Sequence, residues 1–133
     1  MESVLVEATP FAKNCGSRQV LDRIGDRWSV LVVLILADGV KRYGEIARRI
    51  EGISQKMLTQ TLRGLERDGL VTRTVHPEVP PRVEYALTGL GRTVVDLVAA
   101  LEEWATGHLG EVEAARARYD AAVSGRGGSR PAP

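Results

Sequence analysis

Cysteine occurs once in the 133 residues, histidine twice and phenylalanine once, and aromatic residues make up 5% of the chain. A single cysteine excludes an internal disulfide framework. His76 and His108 lie far apart, and neither forms a close cluster with Cys15 or a carboxylate. The spacing that a metal site demands is therefore missing, and no metal or other cofactor is expected. No nucleophile stands with a base to activate it, so an enzyme is not expected. Gly89-Leu90-Gly91 lacks the third glycine of a nucleotide-binding fingerprint. The strongest apolar run, Val30 to Ala37, is too short to cross a bilayer. The N-terminus has neither a basic start nor a long apolar run, so a cytoplasmic protein without membrane association is the expectation.

The charge that is present is unevenly spread. A formal net charge of +1 conceals nine basic and five acidic side chains between Lys41 and Arg82, and three basic against seven acidic between Glu84 and Asp120. One face is thus suited to a polyanion and the other to a different task. Within the basic stretch, Gly52 to Leu70 carries a helix start, a helix stop and two distinct sides. Ser54 is an N-cap whose hydroxyl can accept from a first-turn amide, and Gly69 can take the left-handed conformation that ends a helix. Leu58, Thr61, Leu62 and Leu65 recur at helical spacing, with Met57 at the margin. Gln55, Lys56, Thr59, Gln60 and Arg63 occupy the other side. These are residue types that read base edges: Gln pairs with adenine, Arg with guanine, and Thr touches the thymine methyl.

The surrounding chain gives this helix a context. Leu70 to Val75 and Arg82 to Leu87 alternate as half-buried strands, and the prolines of His76-Pro77-Glu78-Val79-Pro80-Pro81 force a turn between them. Arg73 and Arg82 flank that turn. Thr88 can cap the following helix. Upstream, Ser17 is expected to cap a helix over residues 18–24, and Asp26 another from Arg27 to Ala37, apolar nearly all round and hence central. Lys41-Arg42 suits a short third strand. Tyr43 to Ile50 fits a short helix with Ile46, Ala47 and Ile50 inward, joined by a tight turn to the Ser54 helix. Two helices so joined make a helix-turn-helix, the second for the major groove and the first braced on the backbone. Lys41, Arg42, Arg48, Arg49, Arg73 and Arg82 are then candidate backbone and wing contacts: Arg48 and Arg49 to phosphates, conferring affinity without sequence discrimination, and Arg73 and Arg82 to phosphates or the minor groove.

Together these segments resemble the HxlR-type winged-helix regulators, relatives of the MarR group. The resemblance rests on Asp22 to Trp28, on Lys41 to Ile46, on Gly52 to Leu70 and on His76 to Tyr85, and spans roughly Cys15 to Trp104. It implies a mainly α fold with a small β-wing (α+β), dimeric through its terminal helices. It further implies a homodimeric transcription factor on double-stranded DNA, often a repressor, bound to an inverted-repeat operator with half-sites about one helical turn apart. Many such proteins have a cysteine at the position of Cys15, usually followed by proline, and some use it to sense oxidants or electrophiles. Here Gly16 follows. Lys13, Arg18 and a helix N-terminus would favour the thiolate, while the alternative is an inert thiol at a dimer seam.

The expected organisation is an N-terminal arm over residues 1–14, a winged-helix domain over 15–107, a helix within 108–123 that adds to the dimer interface, and a disordered tail over 124–133. The apolar stripe Val94, Val95, Leu97, Val98, Leu101 and Trp104 is broad for one helix, so Leu97, Leu101 and Trp104 are assigned to a second subunit. Trp28 and Trp104 could also line a pocket for a small-molecule inducer. The competing functional class is a winged-helix protein-interaction module without specific DNA binding. Against it stands the Gln/Lys/Thr/Gln/Arg face, since protein-docking surfaces favour aromatic anchors.

Overall fold

The computed structural model describes residues 11–12 and 15–125. Six helices and one three-stranded sheet follow in order among these residues: α1 (Gly16–Gly25), α2 (Arg27–Leu36), β1 (Lys41–Arg42), α3 (Tyr43–Arg49), α4 (Gln55–Arg67), β2 (Val71–His76), β3 (Arg82–Leu87), α5 (Gly89–Gly107) and α6 (Leu109–Ser124). Most of the expected arm and tail lies outside the described residues. Ser124, expected in the tail, closes α6 instead. No helix is long and apolar enough to cross a membrane.

Local chemistry sets most boundaries. Asp26 accepts from the Ser29 amide at 3.1 Å and starts α2; Ser54 accepts from the Met57 amide at 3.0 Å and starts α4. Gly69, at φ 78°, turns the chain out of α4, a conformation that a side chain makes costly. Thr88 ties two elements together: its hydroxyl donates to the Gly69 carbonyl at 2.6 Å and accepts from the Gly91 amide at 2.9 Å. The first helix departs from expectation. Cys15, not Ser17, occupies the N-cap of α1, without a side-chain cap bond. Ser17 is the second residue of the helix and turns its Oγ to the Cys15 sulfur, 3.0 Å away, so its capping oxygen is used elsewhere.

The strands form an antiparallel sheet in the order β1-β3-β2, with Arg42 opposite Glu84 and Arg73 opposite Tyr85. Core residues come from every layer: Val32 and Leu36 of α2, Ile46 of α3, Leu58, Leu62 and Leu65 of α4, Val71 of β2 and Val98 of α5 are almost wholly buried. Burying each such side chain contributes roughly 1.5–3 kcal/mol relative to exposure. The apolar α2 is the central helix. Near its start, Trp28 is half-buried at the core's edge and carries the Arg27 guanidinium 4.4 Å above its ring.

Compactness divides the chain at Ala99–Ala100. The first unit holds the core, and burial along α5 ends at Val98. In the second unit no residue of α6 is buried. There Trp104 stacks on His108 with ring centroids 4.7 Å apart, and His108 Nδ1 donates to the Trp104 carbonyl at 2.9 Å. Leu97, Leu101 and Trp104 are 64%, 54% and 57% exposed.

Candidate nucleic-acid interface

Helix α4 is amphipathic because its apolar residues recur every third or fourth position, and the fold places that stripe in the core. Leu58, Thr61, Leu62, Gly64 and Leu65 are buried. Gln55, Lys56, Gln60 and Arg63 are exposed, and Thr59 is half-buried. The exposed Ser54 spends one lone pair on the cap. The polar side of α4 faces a cleft of about 540 Å³ whose walls include Tyr43, Gln55, Thr59, Arg63, Glu66 and Arg73. Arg73 of β2 thus shares a cleft with the helix that carries Gln55 and Arg63.

The six cations assigned to the backbone and wing separate into two groups. Arg42, Arg48 and Arg73 are exposed, with no ion pair among the described residues. The other three have carboxylate partners. Lys41 Nζ lies 2.9 Å from Asp38 Oδ1, and its side chain is 16% exposed. Arg49 lies 3.8 Å from the same carboxylate. The Lys41 hydrogen bond and charge hold the Asp38 carboxyl below its ordinary value. Arg82 bridges Glu78 Oε2 at 2.9 Å and Glu84 Oε2 at 3.2 Å. His76 Nε2 donates to the other Glu84 oxygen at 2.8 Å. That hydrogen bond, aided by the Arg82 charge, holds the Glu84 carboxyl below its ordinary value even though desolvation pushes the other way. The turn end of the hairpin, where His76 pairs with Arg82, is therefore an ion-paired network.

Three contacts escaped the sequence reading. Tyr43, the first residue of α3, places its hydroxyl 3.1 Å from the Gln55 carbonyl oxygen and 3.3 Å from Thr59 Oγ1. Arg23 of α1 donates from Nε to Asp68 Oδ2 at 2.9 Å. Asp68 is the C-cap of α4, where the helix dipole disfavours a carboxylate, and the guanidinium offsets that charge. Gly64 makes room for it: a Cβ built there would collide with the Arg23 guanidinium. A glycine inside so regular an amphipathic helix was the available signal of a close approach.

Cys15 is half-buried at the head of α1, its sulfur against Ser17 Oγ. A second, mostly apolar pocket of about 300 Å³ lies among Val20, Ile24, Leu70, Leu90, Val94 and Leu97, with Arg23 and Asp68 also in its lining.

Comparison with known proteins agrees with this geometry. The HxlR-like helix-turn-helix family matches residues 23–113. The uncharacterized HTH-type transcriptional regulator YtfH of Escherichia coli strain K12 is 46% identical over 112 residues, 84% of this chain and 89% of that protein. The solved structure of ytfH from Salmonella typhimurium superposes with a TM-score of 0.78 at 46% identity, covering 83% of this chain and 98% of that one. The redox regulator HypR in its reduced form gives 0.69 at 41% identity, covering 74% and 97%. The chain belongs to the HxlR-like helix-turn-helix family of transcriptional regulators.

Proposed function

We propose that the protein is a sequence-specific DNA-binding regulator that acts as a homodimeric repressor on an inverted repeat. One observation carries this reading: α4 buries one side in the core and leaves Gln55, Lys56, Gln60 and Arg63 exposed, beside a cleft that Arg73 also lines. Donors and acceptors for base edges thus stand on a rigid element, next to a cation suited to phosphate. Leu97, Leu101 and Trp104, more than half exposed on α5, support a second subunit there; pairing would bring two reading helices onto one face of the duplex.

The experiment is a mobility shift or anisotropy titration on the promoter region upstream of the protein's own gene. Replacing Gln60 and Arg63 together with alanine is expected to lower affinity for that DNA by about a thousandfold or more, at roughly 1–3 kcal/mol for each of the four base-reading contacts that the dimer loses. Affinity for unrelated duplex should fall far less. Equal loss on both DNAs would remove these residues from the reading face, and weak, salt-insensitive binding of the unsubstituted protein to both would favour a protein-interaction module.

Two inputs are available for the signal. Similarity to the redox regulator HypR and the place of Cys15 at the head of α1 support an oxidant or electrophile acting on the thiol. The apolar pocket beside α1 supports a small molecule. Cys15→Ser separates them: the substituted protein is expected to keep its DNA affinity and to ignore diamide. If diamide still releases it, the signal enters elsewhere.

A further inference from the structure

We propose that Tyr43 is a specificity-determining positioning residue: its hydroxyl engages the polar atom of Thr59, so that Thr59 reads the groove through its methyl group and selects thymine. The inference rests on the reading of α4 as the DNA-reading helix. A threonine inside a helix ordinarily turns its hydroxyl back to the carbonyl four residues earlier, which for Thr59 is that of Gln55. Tyr43 has taken this acceptor, with its oxygen 3.1 Å from the Gln55 carbonyl oxygen. A carbonyl only accepts, so the single phenolic proton is committed there. The second contact, 3.3 Å between Tyr43 Oη and Thr59 Oγ1, is then filled by the threonine proton, donated to the phenol oxygen.

Both hydroxyl protons are thereby consumed within the protein, and Thr59 has none to offer a base. Its methyl group remains, and the C5-methyl of thymine is the groove feature that an apolar contact reads. Phenylalanine at position 43 would supply the same ring without this constraint. The hydroxyl of Tyr43 therefore acts on the choice of base rather than on the core.

The test begins with duplexes selected by the full-length protein from a randomised pool. In the preferred duplex each thymine is replaced in turn by uracil, which removes only the methyl group. For one thymine per half-site, affinity should fall roughly five- to tenfold in anisotropy titrations. Thr59→Val, which keeps a methyl and loses the hydroxyl, should preserve that discrimination. Thr59→Ser should abolish it. Tyr43→Phe should reduce it to about twofold or less, with affinity for unrelated duplex and melting temperature unchanged, which a merely structural role would not produce. Full discrimination retained by Thr59→Ser and Tyr43→Phe would overturn the proposal, as would a preferred duplex indifferent to every uracil. A wild-type protein that enriches no duplex would overturn the DNA-reading assignment and this inference with it.

Discussion

Helix α4 and the β2–β3 hairpin hold their positive charge in opposite ways. On α4, Lys56 and Arg63 are exposed and lack a carboxylate partner among the described residues. On the hairpin, Arg73 is exposed, but Arg82 is held between Glu78 and Glu84, with His76 on the remaining Glu84 oxygen. The same contrast recurs at the sheet's other edge, where Lys41 is neutralised by Asp38 and the adjacent Arg42 is exposed. A count of basic residues thus overstates the charge available to a phosphate backbone. Counterion release on DNA scales with charges that the phosphates neutralise, and an arginine already neutralised by two carboxylates adds little. It gives the hairpin its shape instead.

The sharpest way to break this comparison is to remove each hairpin arginine separately. Arg73→Ala is expected to weaken binding to all duplexes and, with one arginine lost from each subunit, to reduce the slope of log affinity against log salt by about 2. Arg82→Met should leave most of that slope intact while lowering the melting temperature, because Glu78 and Glu84 lose a shared cation. Equal slopes for the two variants would show that Arg82 leaves its carboxylates for DNA. Thermal denaturation and titrations at four salt concentrations decide it.

Acid sharpens the same contrast. The Glu84 carboxyl titrates below its ordinary value of 4.5 because His76 donates to it and Arg82 lies beside it. A carboxyl so depressed adds stability that is complete above the unfolded value and is lost as pH falls through the folded one. Between pH 7 and pH 3, Glu84→Gln should lower the melting temperature at neutrality yet show a shallower acid decline than wild type. Parallel decline curves would remove the hairpin network from acid stability.

The smallest effect concerns the seat of Arg23 on α4. Gly64→Ala gains roughly 1 kcal/mol of helix propensity but displaces a guanidinium from a partly exposed ion pair that is itself of similar or smaller value. Net stability should change by less than about 1 kcal/mol in urea denaturation. In an Arg23→Ala background the same substitution should stabilise by about 1 kcal/mol, because the guanidinium that a Cβ would meet is then gone. Equal effects in both backgrounds would show that the glycine serves another purpose.

What could be read directly from the chain was local or periodic. Ser54 and Asp26 announce helix starts through their side-chain oxygens, Gly69 announces a stop, and the alternation of residues 70–75 and 82–87 announces a hairpin. Those signals, with the order of elements, were enough for the winged helix-turn-helix. Ser17 misled because a residue type that favours caps sat two positions after Cys15, which held the cap position.

By itself, then, the sequence determined which side of α4 is apolar, where most elements begin and end, and that the middle of the chain is basic. Each depends on residues a few positions apart, whose geometry the backbone sets. The tertiary structure alone decided that Tyr43 engages Gln55 and Thr59, and that Arg23 reaches across to Gly64 and Asp68. Those outcomes rest on distances of about 3 Å between side chains distant in sequence. Such distances exist only once the helices and the sheet have packed around a shared core.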